Sequence, residues 1–198
     1  MDWQSQTLNY YDENAAAFIQ GTAAADISST RERFAKLLPP GARILDFGCG
    51  SGRDTKAFLE LGFQVDATDG SAEICRQASS FTGINVQHML FQDLDTVDTY
   101  DGIWACASIL HLPKQDLIGV LHKICRALKT GGIFYTSFKY GTDEGVRGGR
   151  YFTDFTPETL HDLLQQFPEL VPLETWITQD VRPGREEERW TNILARRA

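Results

Sequence analysis

The stretch Ile44-Leu45-Asp46-Phe47 runs straight into Gly48-Cys49-Gly50-Ser51-Gly52, and then into a segment with helical character through Ala57–Leu61. A buried strand that feeds a glycine-rich turn and then a helix is the opening unit of a nucleotide-binding α/β sheet. The glycines let the chain turn tightly and let its backbone approach a ligand closely. The rest of the chain repeats this alternation. Short apolar runs at Phe63–Thr68, Asn85–Leu90, Gly102–Ala107 and Ile133–Phe138 read as strands. Helical segments at Ala72–Ser79 and from Pro113 to Leu128 separate them. Alternating strands and helices imply a mainly parallel sheet covered on both faces. Gly102–Ala107 is apolar throughout and is therefore placed centrally.

Two features depart from an ordinary dinucleotide fold. Glu174–Thr178 and Thr191–Ala195 are joined by a loop rather than a helix, so they should pair antiparallel at the end of the sheet. The turn is spaced GxGxG rather than GxGxxG, and the acidic Asp46 ends the strand before it. A pyrophosphate would be repelled by that carboxylate, whereas an ammonium or sulfonium would be attracted. Asp69 ends the second strand about 20 residues beyond the first glycine, where an acid accepts hydrogen bonds from ribose hydroxyls. Its other reading is a helix N-cap.

Composition narrows the class further. The 198 residues carry a formal net charge of −8 and are 42% hydrophobic, enough for one sizeable core. A negative chain repels phosphate polymers, which disfavours a nucleic-acid partner. The first residues have no basic stretch followed by an apolar run, and no run of about 18 apolar residues occurs. A cytoplasmic location with no membrane contact is therefore expected. Cys49, Cys75, Cys106 and Cys125 show no metal-ligand spacing, so reduced, packed thiols and no metal are expected.

The segments ILDFGCGSG, VDATDGS, YDGIWACASILHL and LKTGGIFYTSF, taken in order, resemble a class I S-adenosylmethionine-dependent methyltransferase. The resemblance covers nearly the whole chain. It implies one domain over residues 1–198 with a Rossmann-like, doubly wound seven-stranded α/β sheet, mostly parallel, whose last strand is antiparallel. By the same resemblance, Gly48, Gly50 and Gly52 frame the methionine part of S-adenosylmethionine and Asp46 helps to hold its ammonium. Asp69 binds the ribose, and Gly70 and Ser71 flank the adenine. Asp93 and Leu94 meet the adenine edge, with Leu90 or Phe91 as the alternative register. Ala107 lies below the sulfonium.

The opening LNYYDENAAAFIQGT resembles the start of small bacterial enzymes of the tellurite-resistance TehB-like group, in which an N-terminal helix covers the cofactor. Residues 1–40 are then a helical lid, and Tyr10, Tyr11 and Phe18 serve either as lid residues or as core. Arg53 either reaches the cofactor carboxylate or is a surface charge. His111, at the carboxyl edge of the fourth strand, is the candidate catalytic base or substrate contact, with a structural histidine as its alternative. Residues 139–155 read as a substrate-side loop. There Lys139, Arg147 and Arg150, together with Arg182 and Arg185, either recognise an anionic acceptor or pair with Asp143, Glu144 and Glu186–Glu188.

The function expected is methyl transfer to a small molecule. The alternatives are a methyltransferase of modified tRNA wobble uridines, which GRYF, Trp190 and Asn192 faintly resemble, an NAD-dependent oxidoreductase, and a non-catalytic S-adenosylmethionine-binding protein. Oligomeric state is left open.

Overall fold

The computed structural model describes residues 2–198. Its sheet has seven strands in the order β3-β2-β1-β4-β5-β9-β8. The strands β1 (Arg43–Phe47), β2 (Gln64–Asp69), β3 (Gln87–His88), β4 (Tyr100–Ala105) and β5 (Leu128–Lys139) run parallel. Strand β9 (Arg189–Arg197) is antiparallel to both β5 and β8 (Leu170–Gln179). This is the Rossmann-like layout with an antiparallel last strand expected from the sequence.

The central strands are apolar at successive positions because each face of the sheet has its own core. Leu45, Ile103 and Phe134 pack with helices α5 (Lys114–Ala127) and α6 (Pro157–Leu164). Their neighbours Ile44, Trp104, Ile133 and Tyr135 point to the opposite face, where Phe34 of α2 (Ser28–Ala35) and Phe58 of α3 (Arg53–Glu60) cover them. Side chains alternate across a strand, so a strand covered on both sides must be apolar throughout. Thr156 caps α6 through a capping box, with Pro157 in the first turn, as the Thr-Pro pair suggests.

The structure corrects three expectations. The loop expected at 139–155 contains a hairpin, β6 (Glu144–Arg147) paired with β7 (Arg150–Thr153). Gly148 and Gly149 turn it, with φ of 53° and 80°, the paired positive values that a tight two-residue hairpin turn needs. Strand β5 starts at Leu128, ahead of the Gly131-Gly132 pair expected to precede it, and absorbs the glycines as an irregularity opposite Tyr100 and Gly102. Strand β3 is only two residues long, and the chain then enters a 3-10 turn at Phe91–Asp93.

Phe34 is fully buried against Phe58 and Trp104 and fills the space over Gly102, where a Cβ would come within 2.6 Å of its ring. Phe34→Ala therefore leaves a cavity between α2 and the sheet. It should cost about 3–5 kcal/mol, read as a lower urea midpoint at unchanged m-value.

Candidate active site

The carboxyl ends of β1, β4 and β5 converge on one cavity of about 210 Å³. After Phe47 the chain reverses through Gly48 (φ 84°) and Gly50 (φ 54°), and the amides of Gly48 and Cys49 both donate to the Thr68 carbonyl. A Cβ on Gly48 would lie 2.5 Å from the Cβ of Ser108, so the β1 and β4 turns touch only because this residue has no side chain. Ser108 fastens the contact by donating to the Phe47 carbonyl at 2.6 Å.

Asp46 lines this cavity and is 2% exposed. It accepts a 2.5 Å hydrogen bond from Thr55, and no cation pairs with it. Burial, with Asp54 and Asp69 nearby, pushes its carboxyl up to about 7, against the pull of Thr55 and Arg53. Asp69 holds two loop ends together by accepting from Gly50 N on one oxygen and Ser71 N on the other, each at 3.0 Å. Burial raises its carboxyl too, partly offset by these backbone donors. Each of its oxygens keeps acceptor capacity.

Helix α1 (Trp3–Thr22) lies across both ends of this region. Phe18 sits over Gly50, and Leu8 sits over Gly70. Asp12 accepts from the Ser71 hydroxyl at 2.6 Å and from Glu73 N at 3.3 Å, which places a carboxylate at the N-terminus of α4 (Ala72–Thr82). A smaller cavity of about 40 Å³ lies under the first turns of α1, between Gln4, Leu8, Gly70, Leu90, Phe91 and Gln92. His111 borders both cavities.

His111 follows Ala107, whose φ of 49° is unusual for a residue with a side chain and whose amide donates to Ser137. The imidazole is 8% exposed. Its Nδ1 lies 2.6 Å from the Tyr151 carbonyl, and its Nε2 lies 2.7 Å from the Tyr11 hydroxyl. A carbonyl only accepts, so Nδ1 carries the proton and Nε2 accepts from Tyr11. Burial is the main cause lowering the imidazole to about 4; Arg150 and Lys139 also lower it, and the Tyr151 carbonyl partly opposes them. His111 is therefore a neutral acceptor at physiological pH.

Of the residues singled out by sequence, Asp46, Gly48, Gly50, Arg53, Ala107, Tyr11 and His111 line the main cavity, and Gly70 lines the smaller one. Ser71 is buried and caps α4. Gly52 lines neither cavity; its missing side chain makes room for Thr82, 2.6 Å from where a Cβ would stand. Arg53 borders the cavity but is committed to Asp54 and to the carbonyls of Thr22 and Ala25. Asp93 is exposed and Leu94 is in the core, because the 3-10 turn begins at Phe91. Leu90 and Phe91, the alternative register, take the cavity positions together with Gln92. The Tyr11–His111 contact spans 100 positions of chain and has no local signal.

The four cysteines are free, and no cluster of metal-binding side chains occurs among the described residues. No described helix is long and apolar enough to cross a membrane.

Residues 44–132 match the family model described as a methyltransferase domain. The ubiquinone biosynthesis O-methyltransferase of Xanthomonas axonopodis pv. citri is 28% identical over 72% of this chain, and the match spans 63% of that relative's length. A methyltransferase from Burkholderia thailandensis, solved with 1,6-didemethyltoxoflavin and S-adenosylhomocysteine, has the same fold, with a TM-score of 0.77 and 22% identity. That likeness covers 98% of this chain and 87% of the other. Magnesium protoporphyrin IX methyltransferase from Synechocystis PCC 6803, solved with S-adenosylhomocysteine, gives a TM-score of 0.73 at 14% identity over the whole of both chains. Residues 44–132 are thus similar to a methyltransferase domain, and the whole chain shares the fold of structures solved with S-adenosylhomocysteine.

Asp46 gives a test of the cofactor seat that needs no acceptor. A carboxyl raised to about 7 holds its proton more tightly in the folded chain, so it loses stability as pH rises from about 4 to 7. Asp46→Asn removes that loss. At pH 8 the variant should be more stable than the parent, by roughly 2–4 kcal/mol at about 1.4 kcal/mol per pKa unit. The gain should vanish near pH 4, while S-adenosylhomocysteine binds the variant more weakly. Urea melts across pH and calorimetry check both, and equal stability of the two chains at pH 8 would show that Asp46 is already ion-paired.

Proposed function

We propose that this protein transfers a methyl group from S-adenosylmethionine to a small molecule seated between Ala107, His111 and the β6–β7 hairpin. One observation carries the reading. A single cavity runs from a buried carboxyl at Asp46 that has no ion-pair partner among the described residues, past the glycine turn and Ala107, to an imidazole whose Nε2 accepts from the Tyr11 hydroxyl.

The residues fit the cofactor. Asp46 is a buried carboxyl with no ion-pair partner among the described residues, and an ammonium there would favour its charged form. Gly48 and Gly50 allow close approach, Asp69 would take the ribose hydroxyls, and Gly70 with Leu90, Phe91 and Gln92 would receive the adenine. When bound, S-adenosylmethionine supplies an electrophilic methyl on a sulfonium. The protein's share is then position and exclusion of water. Helix α1 excludes water by closing over Gly50 and Gly70. Tyr11 places its ring and hydroxyl at the junction of the two halves. His111 Nε2 accepts a hydrogen bond from Tyr11, or from an acceptor hydroxyl that takes the place of Tyr11. With its conjugate acid near 4, the imidazole orients a proton better than it retains one.

The small-molecule reading is supported by the substrate named for the Burkholderia neighbour, a compact ring compound, and by the biosynthetic role named for the Xanthomonas relative. An RNA acceptor would draw on a run of free cations. Here Lys139, Arg147, Arg182 and Arg185 are each paired with a carboxylate.

Calorimetry with S-adenosylhomocysteine and with NAD separates a methyltransferase from an oxidoreductase. The first ligand should bind and the second should not, and the reverse would end the proposal. Asp69→Ala should weaken S-adenosylhomocysteine by about 1–3 kcal/mol, the cost of losing hydrogen bonds to a charged group. Once an acceptor is in hand, His111→Gln should lower kcat while leaving cofactor affinity close to the parent. A His111→Gln enzyme with unchanged kcat would make the histidine structural.

A further inference from the structure

Five cations border the main cavity: Arg53, Lys139, Arg150, Arg182 and Arg185. Four of them face a carboxylate: Arg53 with Asp54, Arg182 with Asp180, and both Lys139 and Arg185 with Glu188. Arg150 has no carboxylate partner among the described residues. Its one polar contact is a long hydrogen bond to the Tyr11 hydroxyl, 3.4 Å. Its Nε–H is sealed from solvent and meets no acceptor in the protein.

Aromatic rings fix the side chain. The Arg150 guanidinium lies 4.5 Å from the centre of the Tyr10 ring and 5.1 Å from that of Phe152. Stacking of this kind holds a guanidinium in one plane while leaving its edge free for an anion. The cavity that Arg150 borders is walled by the rings of Tyr11, Phe18, Phe152 and Trp190. A flat, conjugated molecule matches those walls.

We infer that the acceptor is a small planar acid, a ring bearing a carboxylate or a comparably ionised oxygen, and that Arg150 is the group that selects its charge. This rests on the methyltransferase reading for the word acceptor, although the anion site itself does not need it. Arg147, its neighbour across the hairpin turn, cannot take the role because both its terminal nitrogens are held by Asp154. His111 fits the same picture. Where the ionised oxygen is itself the atom methylated, no proton is released and this weak base has none to take up. Arg150 binds and orients the acid, and the paired cations around it leave it as the point of positive charge that an entering anion meets.

Benzoate and benzamide test the inference, since they differ in charge while sharing a ring and nearly the same shape. Titrated into the protein with and without saturating S-adenosylhomocysteine, benzoate should bind at least about tenfold tighter than benzamide. 4-Nitrophenolate at mildly alkaline pH tells whether a single ionised oxygen suffices. Arg150→Gln should erase the preference for the acid and leave benzamide unchanged. Arg150→Lys, which keeps the charge but loses the planar fork, should restore part of it, and thermal melts check that both variants are folded.

Equal binding of acid and amide, no binding of either ring, or a preference that survives Arg150→Gln would each overturn the inference. Failure of S-adenosylhomocysteine to bind would instead overturn the methyltransferase reading. The acid-against-amide comparison without it would still decide the role of Arg150.

Discussion

The end of the cavity away from the glycine turn depends on His111 being held from two sides. Nδ1 is fixed by the Tyr151 carbonyl of β7 and Nε2 by the Tyr11 hydroxyl of α1. One buried ring thereby joins the turn after β4, the hairpin and the N-terminal helix. The same strand residue is fastened again from α1, because the Thr7 hydroxyl accepts from Tyr151 N. Neither α1 nor the hairpin belongs to the main sheet, and α1 buries only Thr7 and Ala15 along its 20 residues. An element with so small a buried face is held by its specific contacts rather than by a core, and it belongs to the part of a protein that opens first. Leu8 and Phe18 of α1 rest on Gly70 and Gly50, at either side of Asp69.

Charge is sorted across the cavity in a way that follows from this arrangement. The β1 end presents Asp46, whose carboxyl pKa is raised and which has no ion-pair partner among the described residues. The far wall presents cations, nearly all of them neutralised by Asp180 and Glu188. A cationic ligand is thus drawn to one end and an anionic one to the other, which orders the two along the cavity. The buried Asp54 shows how the protein treats a carboxylate it needs charged for structure. Arg53, Arg31 and the Trp104 indole surround it, and despite burial its carboxyl stays below the ordinary value. Asp46, eight residues earlier, receives no such escort.

Much of the glycine-turn end of the site was legible because it is local in the chain. Strand ends, glycine spacing and an acid at the next strand end are all written within residues 44–71, and the sheet then brings β1 beside β2. The stretch after β3 was less legible because β3 shrinks to two residues and a 3-10 turn follows, which puts Leu90, Phe91 and Gln92, rather than Asp93 and Leu94, at the smaller cavity. The hairpin did carry a signal, Gly148-Gly149 between two arginines, but its strands read as polar and the pair was absorbed into a loop. The choice between free and paired cations was legible only in part, since Glu188, one of the acids expected as partners, pairs with Lys139 and Arg185. Arg147 pairs with Asp154 and Lys139 with Glu188, partners 7 and 49 residues away, rather than with the nearest acids in sequence.

The unpaired state of Asp46 and of Arg150 has a common physical reading. A buried charge without a partner lowers stability, so a chain under selection for stability alone would replace it with an apolar group or give it a counter-ion. This chain does the second for Asp54, Arg53, Arg182 and Lys139, all within reach of the same cavity. The two groups left without a counter-ion among the described residues both border it. Unsatisfied charge placed in this way loses stability in the empty protein and returns it on binding, because each ligand supplies the counter-charge that the fold omits. The asymmetry of the pairing, more than the number of charges, is therefore what marks where ligands belong.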